Sequence, residues 1–417
     1  MKPSVIIISY TFPPQSGIGG RRWAKFAKYF DRKGYDVSII SSPTTDSLSH
    51  WNSDVTKVQN SVIRVQNDYP AILRKVPNSI FEKLKYRAAL FLIKQRIKGN
   101  YFDHSTLWSK NLIEKLAGII DKEKRFVIVA SGGPFAYMTE LLTLKSRFPK
   151  LKLIADFRDP WANNETSFGY SELSDSRMQC VLAQQQLVID GFDAIVSVAD
   201  PMTSYFSSLK TNVDSQSKFA TLRNGFDRED WIESSDSLLP KNRINIVFTG
   251  SLYDKTYHYI SNLVSVLKSD SFDFIQLHFY GEMNSEMKVL LHGNPNISVH
   301  GSVDRRLVSN AISEADYCLL VLTKDLTYSF STKFCEYAMH QKPIFVISEE
   351  GICPTYIKEN ALGLHALPNT THIRNSLNKL EKNSKPLVLN QRVEREFDVS
   401  LIAEQYLSLI DRVHDIS

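Results

Sequence analysis

Short runs of β-branched and aliphatic residues alternate with longer helical patterns along nearly the whole chain, and that alternation prescribes parallel sheets joined by crossover helices. The first half offers strands at Ser4–Ser9, Asp36–Ile40, Val62–Val65, Phe126–Ala130, Leu153–Asp156, Ala194–Val198 and Phe219–Leu222. The second half begins afresh at Ile244–Thr249 and continues through Ile275–Tyr280, Ile297–His300, Tyr317–Leu322 and Pro343–Ile347. At 417 residues the chain exceeds what one hydrophobic core usually supports, so two domains are expected. The polar stretch Arg228 to Arg243, with its acids, serines and Pro240, reads as the linker. This gives an N-terminal domain over 1–238, a second domain over 239–392, and a terminal helix within 393–417. That helix should run from Val393 to Val413, with Phe397, Leu401, Tyr406, Leu409 and Ile410 as its apolar positions.

Fifty Lys and Arg against forty-five Asp and Glu leave a formal charge of +5. That is too mild for nucleic acid and compatible with anionic ligands or lipid headgroups. The four cysteines lie far apart in mostly apolar surroundings, which reads as a reducing compartment. Neither His-x-x-x-His nor His-Glu-x-x-His occurs among the ten histidines, so no metal site is expected. The N-terminus does not read as a signal peptide, and no stretch approaches the roughly 20 apolar residues of a membrane span. A cytoplasmic location follows. The segment 74–98, rich in Lys and Arg with Phe81, Leu84, Ala88, Phe91 and Leu92 among them, reads either as a basic exterior helix or as peripheral contact with an anionic inner-membrane surface.

Four segments carry candidate chemistry. After the first strand, Phe12-Pro-Pro-Gln-Ser-Gly-Ile-Gly-Gly20 precedes a helix expected to begin near Arg21. Glycines there let backbone N–H groups approach an anion at the helix's positive end, or simply make a tight turn. Counted from Gly17 and Gly19, the third glycine of a dinucleotide fingerprint is replaced by Arg22, and the second strand ends in Ser41 and Ser42 instead of an acid, so an NAD enzyme is disfavoured. Asp156-Phe-Arg-Asp-Pro-Trp161 brings Arg158 and Asp159 to a strand's C-terminal end, where α/β sheets bind ligands. An Arg–Asp loop pair beside a packing Trp161 is the competing reading. Thr249-Gly-Ser-Leu-Tyr253 can present the Gly250 and Ser251 amides to a diphosphate, with Lys255 in reach, or serve as an ordinary turn. Phe330-Ser-Thr-Lys-Phe-Cys-Glu-Tyr-Ala-Met-His-Gln-Lys-Pro343 opens a helix at Ser331 and Thr332, favourable to phosphate. Glu336 stands one turn in, as a ribose acceptor or as the i,i+3 partner of Lys333.

Three of these segments, the Phe12–Gly20 loop, Asp156–Trp161 and Ser331–Pro343, together with Arg223-Asn-Gly-Phe-Asp227 and in matching order, resemble the family-four retaining glycosyltransferases of bacterial polysaccharide and O-antigen assembly. The resemblance implies the GT-B fold, two Rossmann-like domains facing across a cleft with the C-terminal helix crossing back to the N-domain. It implies a UDP- or GDP-linked sugar as donor, no further cofactor, and a glycan or lipid-linked acceptor. Glu336 would hold the ribose. The 331–333 helix start and Gly250–Ser251 would lie near the diphosphate, and Gly17, Gly19 and Gly20 would close over it. Lys255, Lys333, Arg158 and Asp159 are the candidate catalytic groups, and no metal takes part. Tyr328 stands where the family often has a second glutamate, Ser251 replaces a common arginine, and Ser131-Gly-Gly-Pro-Phe135 lacks a histidine. Two other readings share these motifs: a GT-B sugar-nucleotide epimerase, and a degenerate nucleotide-binding subunit.

Overall fold

The computed structural model describes residues 2–15, 18–43, 62–121, 124–164, 169–211, 218–231, 239–268, 270–381 and 387–415. The chain divides into two compact units, one of residues 1–223 with 403–417 and one of residues 224–402.

The first unit runs β1 (Ser4–Ile8), α1 (Ile18–Arg32), β2 (Val37–Ser41), β3 (Val62–Arg64), α2 (Ile80–Arg96), α3 (Ser109–Ile119), β4 (Phe126–Ser131), α4 (Tyr137–Arg147), β5 (Leu151–Phe157), α5 (Asp175–Gly191), β6 (Ala194–Ser197), α6 (Asp200–Ser208) and β7 (Phe219–Thr221). Its seven strands are parallel in the order β3-β2-β1-β4-β5-β6-β7. Helices cover both faces of such a sheet, so β1 and β4 read as unbroken apolar runs.

The second unit runs β8 (Ile244–Thr249), α7 (Tyr257–Leu267), β9 (Ile275–Tyr280), α8 (Ser285–Leu291), β10 (Ile297–Gly301), α9 (Arg305–Glu314), β11 (Tyr317–Leu322), α10 (Thr332–Met339), β12 (Ile344–Ser348), α11 (Ile352–Glu359), β13 (Gly363–Ala366), α12 (Thr370–Leu377) and α13 (Gln391–Phe397). Its parallel order, β10-β9-β8-β11-β12-β13, repeats the doubly wound plan. All twelve expected strands form. The thirteenth, β13, was not expected: it is a four-residue edge strand that begins at a glycine.

Two boundaries differ from the sequence reading. The second unit begins at Asn224, upstream of residue 239, because Phe226 donates to the Phe397 carbonyl at 2.8 Å and accepts from the Val399 amide at 2.9 Å. The middle of the expected linker, 232–238, lies outside the described residues. The single terminal helix is in fact two, α13 and then α14 (Val399–Asp415), parted at Asp398. There the Asp398 carboxylate accepts from the Ser400 amide at 2.9 Å and from Arg228 Nε at 2.9 Å, which caps one helix as the other ends. From Ala403 onward α14 belongs to the first unit, where Tyr406 is buried among Trp23, Phe26 and Phe30 of α1 at ring distances of 5.5 to 5.9 Å. Tyr35 donates to Asp411 at 2.7 Å beside it.

Two buried histidines give the second unit an acid limit. Burial, reinforced by His300, pushes His278 down to about 4. Burial with the nearby charges of Lys342 and Arg305 does the same to His340, which lies over Trp231. In the unfolded chain both titrate near 6.5, so their neutral forms stabilise the fold fully above that pH, and the contribution is lost as pH falls from about 6.5 to 4. Each is worth about 3 kcal/mol at the acid end. Denaturant midpoints taken across this window should fall, and fall less in His340→Gln; a flat profile would contradict the assignment.

Candidate functional site

In a doubly wound sheet, ligands bind beyond the carboxyl ends of the strands where the strand order reverses. In the second unit that point lies between β8 and β11, flanked by the loops that follow them. Gly250, directly after β8, has φ +106°, a region that disfavours side chains, and its amide donates to the Tyr280 carbonyl at 2.7 Å. A Cβ added there would lie 2.4 Å from Lys333 Cε, so the end of the Lys333 chain rests on this glycine. Ser251 adjoins it and is half-buried.

Helix α10 delivers Lys333. Ser331 is its N-cap, accepting from the Phe334 amide at 3.2 Å, so this hydroxyl is committed to the helix end. Thr332 opens the helix, whose first turn carries no acid to offset the N-terminal dipole. The helix is tied to β8 by Tyr337, wholly buried, whose hydroxyl lies 3.1 Å from the Thr249 amide and 3.2 Å from its Oγ1. Tyr337 is a positioning residue that the sequence reading missed. Its only sequence signal is an aromatic one residue past Glu336, which reads as core.

The Lys333 ammonium has no hydrogen bond or ion pair among the described residues; it stands 5.6 Å from the Phe248 ring centre. Burial lowers its pKa, while Glu336 acts in the opposite direction. Glu336, half-buried, lies one turn along α10 from Lys333, as expected. Lys255 is placed differently. It reaches across the strand-order reversal to Asp325 at 2.7 Å, linking the loop after β8 to the loop after β11. Burial would raise the Asp325 carboxyl, but hydrogen bonds from Lys255 and Thr323 outweigh it and hold the group below its ordinary value. The Lys255 charge is thus already balanced by a partner that nothing in its own neighbourhood of sequence announces.

In the first unit the corresponding reversal lies between β1 and β4. Gly19 and Gly20 are in the first turn of α1, not in a loop before it, because the helix begins at Ile18. A Cβ on Gly20 would meet the Thr11 carbonyl oxygen at 2.4 Å, so α1 sits directly on the backbone after β1. A Cβ on Gly19 would fall 1.6 Å from an Arg158 guanidinium nitrogen. Gly17 lies outside the described residues. Arg158 donates to the carbonyls of Gly132 and Gly133, both at 3.0 Å, and so closes the loop after β4. Asp159, half-buried, makes no side-chain hydrogen bond or ion pair among the described residues. Trp161 is a packing residue, buried and stacked on Phe135 at 5.4 Å.

Three further groups shape this end of the sheet and escaped the sequence reading. Arg64 binds the Pro13 carbonyl at 2.6 Å and Ser41 Oγ at 2.6 Å, holding the loop after β1. Asp103, 1% exposed, accepts from the Phe135 and Ala136 amides at 2.8 and 3.0 Å and so fixes the turn that leads into α4. His104 follows it, its ring 4.6 Å from that of Tyr69, and burial lowers its pKa.

No family model matches the sequence, and a search of curated proteins finds no match. Similar solved structures cover almost the whole chain. Anabaena HepE in complex with UDP is 11% identical over 98% of this chain and 100% of its own, with a TM-score of 0.64. The N-terminal domain of Candida albicans trehalose-6-phosphate phosphatase is 13% identical over 99% of each chain, with a TM-score of 0.63. A UDP-N-acetylglucosamine 2-epimerase homologue from Listeria monocytogenes is 10% identical over 100% of this chain and 98% of its own, with a TM-score of 0.59. At such identities the likeness is one of fold: this chain has the two Rossmann-like domains of the GT-B architecture.

Proposed function

We propose that the protein is a glycosyltransferase whose second unit holds a nucleoside diphosphate sugar and whose acceptor is a glycan or a lipid-linked saccharide of cell-surface polysaccharide synthesis. The observation that carries this reading is Lys333: a half-buried ammonium with no hydrogen bond or ion pair among the described residues, whose burial Glu336 offsets only in part, resting on Gly250 beside a helix start that carries no acid. Burying a cation that is only partly compensated is costly, and a diphosphate supplies the remaining charge. The complex of Anabaena HepE with UDP and glucose, a protein of the same fold, is in keeping with that ligand class.

In this mechanism the bond from the anomeric carbon to the diphosphate oxygen breaks as the acceptor oxygen bonds to that carbon on the same face. The acceptor's proton passes to the departing phosphate oxygen, and configuration is retained. Negative charge grows on the leaving diphosphate. Lys333, the α10 dipole and the Ser251 amide stabilise it without a metal, the Gly250 amide being engaged by the Tyr280 carbonyl. Glu336 accepts the ribose hydroxyls. Calorimetric titration with UDP, GDP and NAD tests the reading. One nucleoside diphosphate should bind at micromolar concentration and about tenfold or more weakly to Glu336→Ala. Binding of NAD, or of no nucleotide, would overturn it. The fold shared with the Listeria epimerase homologue supplies a second reading, in which incubation with donor alone yields a new sugar nucleotide.

A further inference from the structure

Helix α2 turns its apolar stripe outward. At 100° per residue, Ile80, Phe81, Leu84, Ala88, Phe91 and Leu92 share an arc of about 120°, interrupted only by Gln95. The five large ones are 58 to 81% exposed. Lys83, Arg87 and Lys94 border the stripe on one side, and Lys85 and Arg96 on the other. The opposite side of the helix holds it to the first unit, where Leu90 and Ile93, followed by Ile97, pack with Tyr69 and Tyr101. Arg177 clamps the helix end by donating to the Lys94 carbonyl at 2.6 Å and the Gly99 carbonyl at 3.1 Å. The one acid of α2, Glu82, is spent on its N-terminus: its amide donates to Ser79 Oγ at 3.1 Å and its carboxylate accepts from the Asn78 amide at 2.8 Å.

A basic helix kept in water presents its charges outward and hides its apolar residues. Here the apolar residues are outermost and the cations flank them. We propose that this face docks on an anionic lipid bilayer, the apolar stripe entering the headgroup and acyl boundary while the flanking Lys and Arg reach up to lipid phosphates. Charge argues against a second copy of the chain as occupant, since pairing two such faces would set five cations against five. No helix among the described residues is long and apolar enough to cross a membrane, so the contact is peripheral. The inference does not rest on the transferase reading.

Flotation of the full chain with vesicles of mixed phosphatidylglycerol and phosphatidylcholine, against phosphatidylcholine alone, tests it. Wild type should float with the anionic vesicles at low salt and not with the neutral ones. Neutralising Lys83, Arg87 and Lys94 to Gln should weaken partitioning by about a hundredfold. Leu84→Ser with Phe91→Ser should reduce it by about tenfold or more while circular dichroism and nucleotide binding stay unchanged. Failure of wild type to float, or flotation undiminished in both variants, would overturn the proposal. So would a self-association that the Leu84/Phe91 variant abolishes while vesicle binding persists.

Discussion

Replacing Arg22 by methionine should destabilise the first unit by about 3–5 kcal/mol, because it strands a buried carboxylate. Arg22 leaves α1 and runs into the interior, where it meets Asp156 on β5 at 3.0 Å, with side-chain exposures of 5% and 0%. The same guanidinium donates to the Arg223 carbonyl at 2.7 Å and the Leu222 carbonyl at 2.9 Å, and lies 4.7 Å from the Phe26 ring centre. Tyr406 of α14 donates to the same Asp156 oxygen at 3.3 Å. One ion pair therefore joins the first helix, the middle of the sheet and the returning terminal helix. Methionine keeps most of the volume and none of the charge, so the loss reports the unpaired carboxylate and carbonyls more than a cavity. The double change Arg22→Met with Asp156→Leu removes both charges and should cost clearly less than the two single changes together. Chemical denaturation of the four proteins measures it. A single-variant loss below about 1 kcal/mol, or strict additivity, would show that the pair is incidental.

Arg22 also marks where sequence reasoning stops. Read locally, it spoils a dinucleotide fingerprint and obstructs the packing of helix on strand. Its partner lies 134 residues away, and only their pairing makes its burial tolerable. The glycines before it were misplaced for a related reason. Gly19 and Gly20 signal a turn by propensity, but α1 begins at Ile18 and uses the absent side chain of Gly20 to sit on the Thr11–Phe12 backbone. The strands were legible because parallel strands buried on both faces are continuous apolar words. The missed one, β13, is short, half-buried and glycine-led. At Asp398 the helical pattern of 391–415 continues in apolar spacing while the backbone turns aside to pair with Phe226, a contact no periodicity encodes. Among the candidate site residues, the start of α10 was readable from Ser331 onward because caps are local. The fate of Lys255 was not, since Asp325 lies 70 residues off.

That difference between two lysines yields the sharpest test of the second unit. Lys333→Met should weaken binding of the cognate nucleoside diphosphate by about 10- to 100-fold and leave binding of the free nucleoside unchanged. Methionine preserves the apolar stem that rests on Gly250 and faces Phe248, so the packing of α10 against β8, fixed by Tyr337, should survive. What disappears is a cation whose surroundings already disfavour its charge and which gains most from an anion. Lys255→Met should cost less than about threefold. Lys255 is 63% exposed and its charge is already offset by Asp325, so a diphosphate meets a nearly neutral pair there. Calorimetry on both variants, with nucleoside and nucleoside diphosphate, separates the outcomes. If Lys255→Met proves the more damaging, the Lys255–Asp325 pair must open to receive the ligand, and the diphosphate belongs on the β11 side of the strand-order reversal. Equal loss of nucleoside and diphosphate in Lys333→Met would instead mean that Lys333 supports the shape of the site and not the charge of its ligand.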